Sequence, residues 1–155
     1  MMQACYQFIS NEGFQLFMAI FLGGLIGLER EMNGKPAGLR TTILICLGAT
    51  LFMMLSAKVA EMAGSQGADP ARIASGIVTG IGFLGAGSVF RANGMVQGLT
   101  SAATIWVVGA LGLAIGCGHY VLAVGVTIIL LLVLSVLGRL ECYISDKCKT
   151  KILEK

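Results

Sequence analysis

Long apolar stretches interrupted by short charged segments set the pattern of this chain. The clearest stretch runs from Ile73 to Arg91, reads IASGIVTGIGFLGAGSVFR and has eighteen uncharged residues before its arginine. A helix needs about 20 mostly apolar residues to cross a bilayer, so stretches of this kind predict transmembrane helices. We predict an all-α integral membrane protein, a bundle of five transmembrane helices. The predicted spans cover about residues 13–28, 41–57, 71–90, 99–115 and 120–137.

The last two spans come from a single run of 47 residues without a formal charge, between Arg91 and Arg139. As one helix this run would be about 70 Å long, more than twice the roughly 30 Å of a hydrocarbon core. The chain must therefore fold back on itself. Gly116-Cys117-Gly118-His119, near the middle of the run, is the natural turn.

The distribution of lysine and arginine predicts the orientation. An odd number of spans puts the two termini on opposite sides, and cytoplasmic loops carry an excess of positive charge. With the N-terminus outside, nine basic residues lie on the inner face and only Lys58 and Arg72 lie on the outer one. The C-terminus is then cytoplasmic, and residues 141–155 form a short basic tail. The nine inner residues are Arg30, Lys35, Arg40, Arg91, Arg139, Lys147, Lys149, Lys151 and Lys155.

The amino-acid composition also indicates a membrane protein. The chain is 56% hydrophobic and 12% charged, against about 25% charged residues in a soluble domain. Residues 1–14 contain no Lys or Arg, so the basic region of a signal peptide is missing. The net charge of +3 is small and dispersed, which argues against a nucleic-acid partner. Membrane lipid is the expected surrounding.

Glycines spaced four residues apart predict close helix packing, because they let another helix approach in a bilayer. We expect these faces to support a homo-oligomer as well. Gly80 to Gly85 also matches the GxGxxG dinucleotide fingerprint, but that motif needs a preceding strand and an acidic residue about 20 positions on, where this chain has Ile105. Alternatively, the glycines of the third span break its helix in the middle of the membrane, as in transporters. The packing pairs are Gly23 and Gly27, Gly76 and Gly80, and Gly112 and Gly116.

The first inner loop concentrates charge at the membrane surface. Glu31 continues the face of the first helix that carries Gly24 and Gly27, and Arg40 opens the second helix. We expect Glu31 or Glu29 to pair with Arg40 across the turn. Either these charges only fix the hairpin, or they form a docking or ion-sensing site, since charges at membrane depth are usually functional.

Charged residues also stand at both ends of the third span. Asp69 followed by Pro70 is a typical helix start, which predicts a structural N-cap. Arg72 shares a helix face with Ser75 and Thr79, so it either reaches the interface as a snorkelling arginine or leads a small polar stripe into the membrane. Arg91 closes the span at its other end.

Candidate chemistry beyond these charges is sparse. The sequence contains no Ser/His/Asp set, no paired acid and base and no metal-ligand spacing, so we expect no enzymatic activity, no metal and no cofactor. His119, the single histidine, has no nearby carboxylate in sequence and is expected to be exposed. The five cysteines form no CxxC, and a disulfide framework is not expected.

Three long blocks of the sequence together resemble the MgtC/SapB family of bacterial inner-membrane proteins. Such blocks are far more specific than a short motif, and they cover most of residues 20 to 120. The resemblance implies a five-span bundle in the cytoplasmic membrane with its N-terminus outside. Many relatives carry a soluble C-terminal domain, so this chain, ending at Lys155, is expected to be a short form. The blocks are Gly23–Leu44, Asp69–Arg91 and Gly98–Gly116.

The resemblance also implies a biological setting. It points to growth at low magnesium, to virulence and acid stress, and to membrane energetics through the ATP synthase. We therefore favour a non-enzymatic protein that modulates magnesium or proton homeostasis by binding another membrane complex. The alternative is a cation or proton transporter or channel, favoured by the glycine-rich third span and the charges at its ends. The functional positions implied by the resemblance are Glu29, Arg30, Glu31, Arg40, Asp69, Arg72 and Arg91.

Overall fold

The computed structural model shows an α-helical bundle with one short hairpin of β-strands, and it describes residues 2–63, 69–92 and 94–140. The predicted tail, residues 141–155, lies outside the described residues. A π-helical segment, Val133–Leu137, follows the last α-helix. In chain order the elements are α1 (Met2–Met32), α2 (Leu39–Ala63), α3 (Pro70–Gly87), β1 (Phe90–Ala92), β2 (Met95–Gln97), α4 (Leu99–Gly116) and α5 (Tyr120–Leu132).

Within the described residues, four helices are long and apolar enough to cross a membrane, which confirms the helical membrane class. Their apolar segments are 18 to 24 residues long, while that of α3, residues 71–87, is shorter. The outer surface of the bundle agrees: Phe17 is 61% exposed, Ile129 is 62% exposed and Val121 is 90% exposed. So many outward-facing apolar side chains are favourable in lipid, whereas in water their exposure would cost free energy.

Three helices differ from their predicted spans, and one of them, α2, continues to Ala63, beyond the predicted end at residue 57. Helix α1 extends well beyond residues 13–28 at both ends. Helix α3 is continuous through its glycines and ends at Gly87, so Phe90 belongs to a strand and not to the third span. Strands β1 and β2 pair antiparallel, with Arg91 opposite Val96, around a turn in which Gly94 has φ +80°. The sequence signal for this hairpin was the Asn93-Gly94 pair, a strong two-residue turn.

Helix α2 is the centre of the bundle and packs against α1, α4 and α3. Its residue Cys46 is fully buried among apolar side chains from α1 and α4, including Ile26 and Val108. The turn between α4 and α5 lies at residues 117–119, where Gly118 has φ +80°. The core consists of Ala19, Leu22, Ile26, Cys46, Val108, Leu111, Ile115 and Ala123.

Two of the three glycine pairs bring helices together inside the chain. A Cβ on Gly23 would lie 2.9 Å from the Cβ of Cys46, so α1 and α2 are in close contact there. A Cβ on Gly112 would lie 2.5 Å from the carbonyl oxygen of Cys46, and one on Gly116 would lie 2.7 Å from the Cβ of Met53. These helices approach at distances that a side chain would prevent.

The third pair is different. Nothing lies within 4 Å of the position that a Cβ would take on Gly76 or Gly80, and both residues are exposed. The only glycine of α3 whose added Cβ would touch another helix is Gly85, 3.4 Å from the carbonyl oxygen of Ala102. Of the three glycine pairs from which a homo-oligomer is predicted, only Gly76 and Gly80 lie on an open face, since the other two pairs are used within the chain.

Candidate functional site

The end of the bundle that carries the α1–α2 loop and the β-hairpin, which we call the charged end, holds a buried arginine. Arg30 follows Leu22 and Ile26 at helical spacing on the inward face of α1, and it is only 3% exposed. Its Nη2 donates a hydrogen bond of 2.8 Å to the Oγ of Ser101 in the first turn of α4. Because these residues are 71 positions apart, this bond joins α1 to α4.

Two buried polar atoms of Glu29 and Arg30 have no hydrogen-bond partner among the described residues: the Nε of Arg30 and the Oε2 of Glu29. The other carboxylate oxygen of Glu29 accepts a bond of 2.9 Å from the Nδ2 of Asn33. Buried polar groups are nearly always satisfied, by protein or by water, so each exception points to strain, a bound water or ion, or a functional role. The unsatisfied buried atoms of Glu29 and Arg30 therefore make these two residues candidates for a functional role at the charged end.

The predicted pairing of Arg40 with a glutamate is not present in this structure. Glu31 is exposed, and its Oε2 accepts a bond of 3.0 Å from the backbone N–H of Leu39 instead. Leu39 is the first residue of α2, so the carboxylate caps a helix end whose N–H groups are free and whose dipole favours negative charge. Within the described residues the ion pair present is Lys58 with Glu12, at 2.5 Å, at the opposite end.

The remaining predicted residues lie apart from this cluster. Asp69 caps α3 through a bond of 2.9 Å from the N–H of Ala71 to its Oδ1. Arg72 is exposed in the first turn of that helix, and Arg91 is exposed in β1 at the charged end. The seven predicted residues therefore divide between the two ends of the bundle. In the described part of the chain, no three His, Cys, Asp or Glu residues lie close enough to hold a metal ion.

Sequence reasoning missed two buried polar side chains that tie helices together. The Nε2 of Gln15 in α1 donates to the carbonyl oxygens of Ile115 and Gly116, at 3.2 and 3.3 Å, where α4 ends. The Oγ1 of Thr50 in α2 donates to the carbonyl of Gly112 at 3.0 Å. Free carbonyls at a helix end need such donors in lipid. For Gln15, the sequence signal was a single glutamine at the start of an apolar stretch.

An apolar groove of about 930 Å³ runs between α2 and α3. Its floor includes the buried side chains of Ile81 and Ile105, and its walls include Leu44 and Phe52 of α2. Gly76 and Gly80 lie along it, which explains why their faces are open. At the charged end the groove reaches Thr41, Gly87 and Ser88.

The fold and its buried polar contacts define a multi-pass helical membrane protein with a charged end. A family model for the MgtC family matches residues 16–143, and the chain belongs to that family. It is 44% identical over 137 residues to "Putative magnesium transporter YhiD" of Escherichia coli K12, and the match covers 86% of this chain. It is 41% identical over 138 residues to Protein SrpB of Synechococcus elongatus, covering 83% of this chain.

A further relative is Protein MgtC of Brucella abortus 2308, 46% identical over 100 residues that make up 64% of this chain. The chain spans only part of these proteins: 63% of YhiD, 75% of SrpB and 40% of the Brucella MgtC. No solved structure matches this chain.

Proposed function

We propose that this chain is a non-enzymatic inner-membrane protein that acts in magnesium homeostasis and membrane energetics by binding another membrane complex. The observation that carries this proposal is the construction of the charged end. The Arg30–Ser101 bond and the Glu31 cap tie this surface to α4 and α2, and Lys35, Arg40 and Arg91 are exposed on it. A surface that is already ordered loses less entropy when a partner docks.

The magnesium part of the proposal rests on relatedness. The name of the E. coli K12 relative refers to magnesium transport, and the family membership extends over most of the chain. We further propose five spans with the N-terminus outside, so that the charged end faces the cytoplasm. Positive charge supports this orientation, and α3, at 18 residues or about 27 Å, is nearly long enough for the fifth span. The ATP synthase is the first partner to test.

A transporter or channel for a cation or proton is the second candidate, and Glu29 favours it. Its Oε2 is buried and has no hydrogen-bond partner within the part of the chain that the structure describes. Acidic groups in such surroundings commonly bind or relay cations. The apolar lining of the α2–α3 groove supports the first candidate, since ion pathways are lined by carbonyls or charged side chains.

Ion flux in liposomes separates these candidates. The purified chain is reconstituted in vesicles that contain a magnesium- or pH-sensitive dye, and Glu29→Gln is the matched variant. We expect the flux of both ions to equal that of empty vesicles. Magnesium or proton flux well above this background that Glu29→Gln abolishes would replace our proposal with the transporter.

Crosslinking in native membranes tests the docking surface. A photoreactive residue at position 35, on the charged end, is compared with one at position 62, an exposed site on the far end of α2. We expect a crosslink to a subunit of another membrane complex from position 35 and not from position 62. Equal crosslinking from both positions, or none from position 35, would contradict a specific docking surface at the charged end.

A further inference from the structure

The α2–α3 groove is suited to a long, thin apolar ligand. Its lining is almost wholly apolar, with glycine in place of side chains at Gly48, Gly76 and Gly80. Nothing lies within 4 Å of an added Cβ at any of the three, so the groove is open along both helices. A volume of about 930 Å³ lies in the roughly 300–1,000 Å³ range of sites that hold one small ligand. That volume fits acyl chains and not a second helix about 10 Å wide.

The length of the groove also fits. Along α3 it extends from Ile73 to Ser88, which at 1.5 Å per residue is about 22 Å. An acyl chain spans one leaflet, about half of the roughly 30 Å hydrocarbon core. A chain that enters at Ser88 would therefore pass Gly80, about 12 Å along α3, and end between Gly80 and Gly76.

Positive charge stands at one end of the groove. Arg40 precedes Leu44 by four residues and Gly48 by eight, so it extends the α2 face that lines the groove. Arg91 follows Ser88, the last lining residue on the α3 side, by three positions. Both arginines are exposed, and among the described residues neither has a carboxylate within 4 Å. Basic pockets at the ends of membrane helices bind anionic lipid headgroups.

We propose that the groove is a binding site for one anionic phospholipid, with its acyl chains between α2 and α3 and its phosphate at Arg40 and Arg91. Ordinary annular lipid would not depend on these residues, because it exchanges freely around the whole bundle. The proposal concerns a lipid that stays with the protein and is selected by its charge.

Native mass spectrometry of the full chain in mild detergent, titrated with phosphatidylglycerol or phosphatidylcholine, tests the site. We expect one tightly held phosphatidylglycerol per chain and weaker binding of phosphatidylcholine. Arg40→Gln and Arg91→Gln should each weaken phosphatidylglycerol binding about fivefold, and about 25-fold together. Arg72→Gln, at the other end of α3, is the matched control and should change nothing.

A second pair of variants tests the apolar part of the site. Gly80→Leu places a side chain in the groove, while Gly125→Leu places the same side chain in open space on α5. Only the first should reduce lipid retention, by tenfold or more, with circular dichroism and thermal unfolding showing that both variants fold. The proposal is overturned if Gly80→Leu leaves retention unchanged, or if both lipids bind equally. It is also overturned if Gly80→Leu turns an oligomer into a monomer without any loss of lipid, since a second copy would then occupy the groove.

Discussion

At the scale of single residues, the structure gives the basic residues of the charged end different roles. Arg30 is buried and bonded to α4, whereas Arg40 and Lys35, in the same loop region, are exposed. Burying a guanidinium is costly, and of the Arg30 donors Nη2 is satisfied by Ser101, whereas Nε has no hydrogen-bond partner among the described residues. The bond to Ser101 makes Arg30 part of the contact between α1 and α4. The exposed residues are free to meet a partner or a lipid.

The Arg30–Ser101 bond can be measured directly. Ser101→Ala removes the acceptor of a charged donor, and bonds of this kind contribute about 1.5–3 kcal/mol. We expect the free energy of unfolding to fall by that amount, measured by denaturant titration in bicelles. Thr100→Ala, at the exposed neighbouring position, should change it by less than about 0.5 kcal/mol. Equal effects of the two changes would show that the bond contributes nothing.

Gly98 is the residue whose backbone most clearly requires glycine. It has φ +90°, and the carbonyl oxygen of Ser88 occupies the place that a Cβ would take. Gly98→Ala should therefore lower the free energy of unfolding by more than about 2 kcal/mol, because it adds both backbone strain and overlap. Gly125→Ala, which meets nothing within 4 Å, is the control and should be neutral or slightly stabilising. A stable, fully folded Gly98→Ala variant would argue against this packing of the hairpin base on Ser88.

At the scale of secondary-structure elements, the same spacing of glycines serves two purposes. In α4 the pair Gly112 and Gly116 lies against the backbone of α2, and a threonine from α2 bonds to the Gly112 carbonyl. In α3 the pair Gly76 and Gly80 leaves a groove open. The bundle is therefore tight around α1, α2 and α4 and open on one side of α3.

This contrast predicts opposite responses to one chemical change. Gly112→Ala brings a methyl group within 2.7 Å of the Cβ of Ala49, so α2 and α4 must move apart at a cost of about 1–3 kcal/mol. Gly80→Ala adds the same methyl group in open space and should leave the free energy of unfolding unchanged or raise it by less than about 1 kcal/mol. Thermal and denaturant unfolding in the same detergent would compare the two. Greater damage from Gly80→Ala would mean that α3 is packed against something in the folded state.

At the scale of the whole molecule, the two ends of the bundle are chemically different. One end combines Arg30, Arg40 and Arg91 with the β-hairpin. The other has the Glu12–Lys58 ion pair and the turn that contains Cys117 and His119, both exposed. This asymmetry makes the predicted orientation testable with a cysteine that the chain already contains.

Cys117 should react with a membrane-impermeant maleimide added outside intact cells. The test uses a variant that keeps Cys117 and replaces the other four cysteines by alanine. Its control is Lys35→Cys in a chain in which all five native cysteines are replaced by alanine. Lys35→Cys should react only after permeabilisation. Although Cys117 is exposed, desolvation of its thiol by the neighbouring protein raises its pKa, so the thiolate is scarce at neutral pH and labelling should accelerate as the pH rises. The reverse labelling pattern would place the N-terminus inside.

The local sequence pattern determined the class of this protein and several of its helix boundaries and turns. Long stretches without charged residues predict membrane helices, because each span must satisfy its own backbone hydrogen bonds in lipid. The 47-residue run predicts a turn near its middle, and the chain turns at Gly118. Asp69 and Pro70 predict a helix start that the structure has. Each of these conclusions depends on residues close together in sequence, where spacing and chemistry are enough.

Only the tertiary structure decided which residues of different helices are in contact. Nothing in the local sequence says that Arg30 is bonded to Ser101, 71 positions away, or that Glu31 caps α2 instead of pairing with Arg40. The equal spacing of Gly76–Gly80 and Gly112–Gly116 gives no sign that one pair packs and the other lines a groove. Spacing shows which residues share a helix face, but the direction of that face depends on how the helices are arranged. That arrangement is set by the summed packing of all the helices, and a local pattern does not contain it.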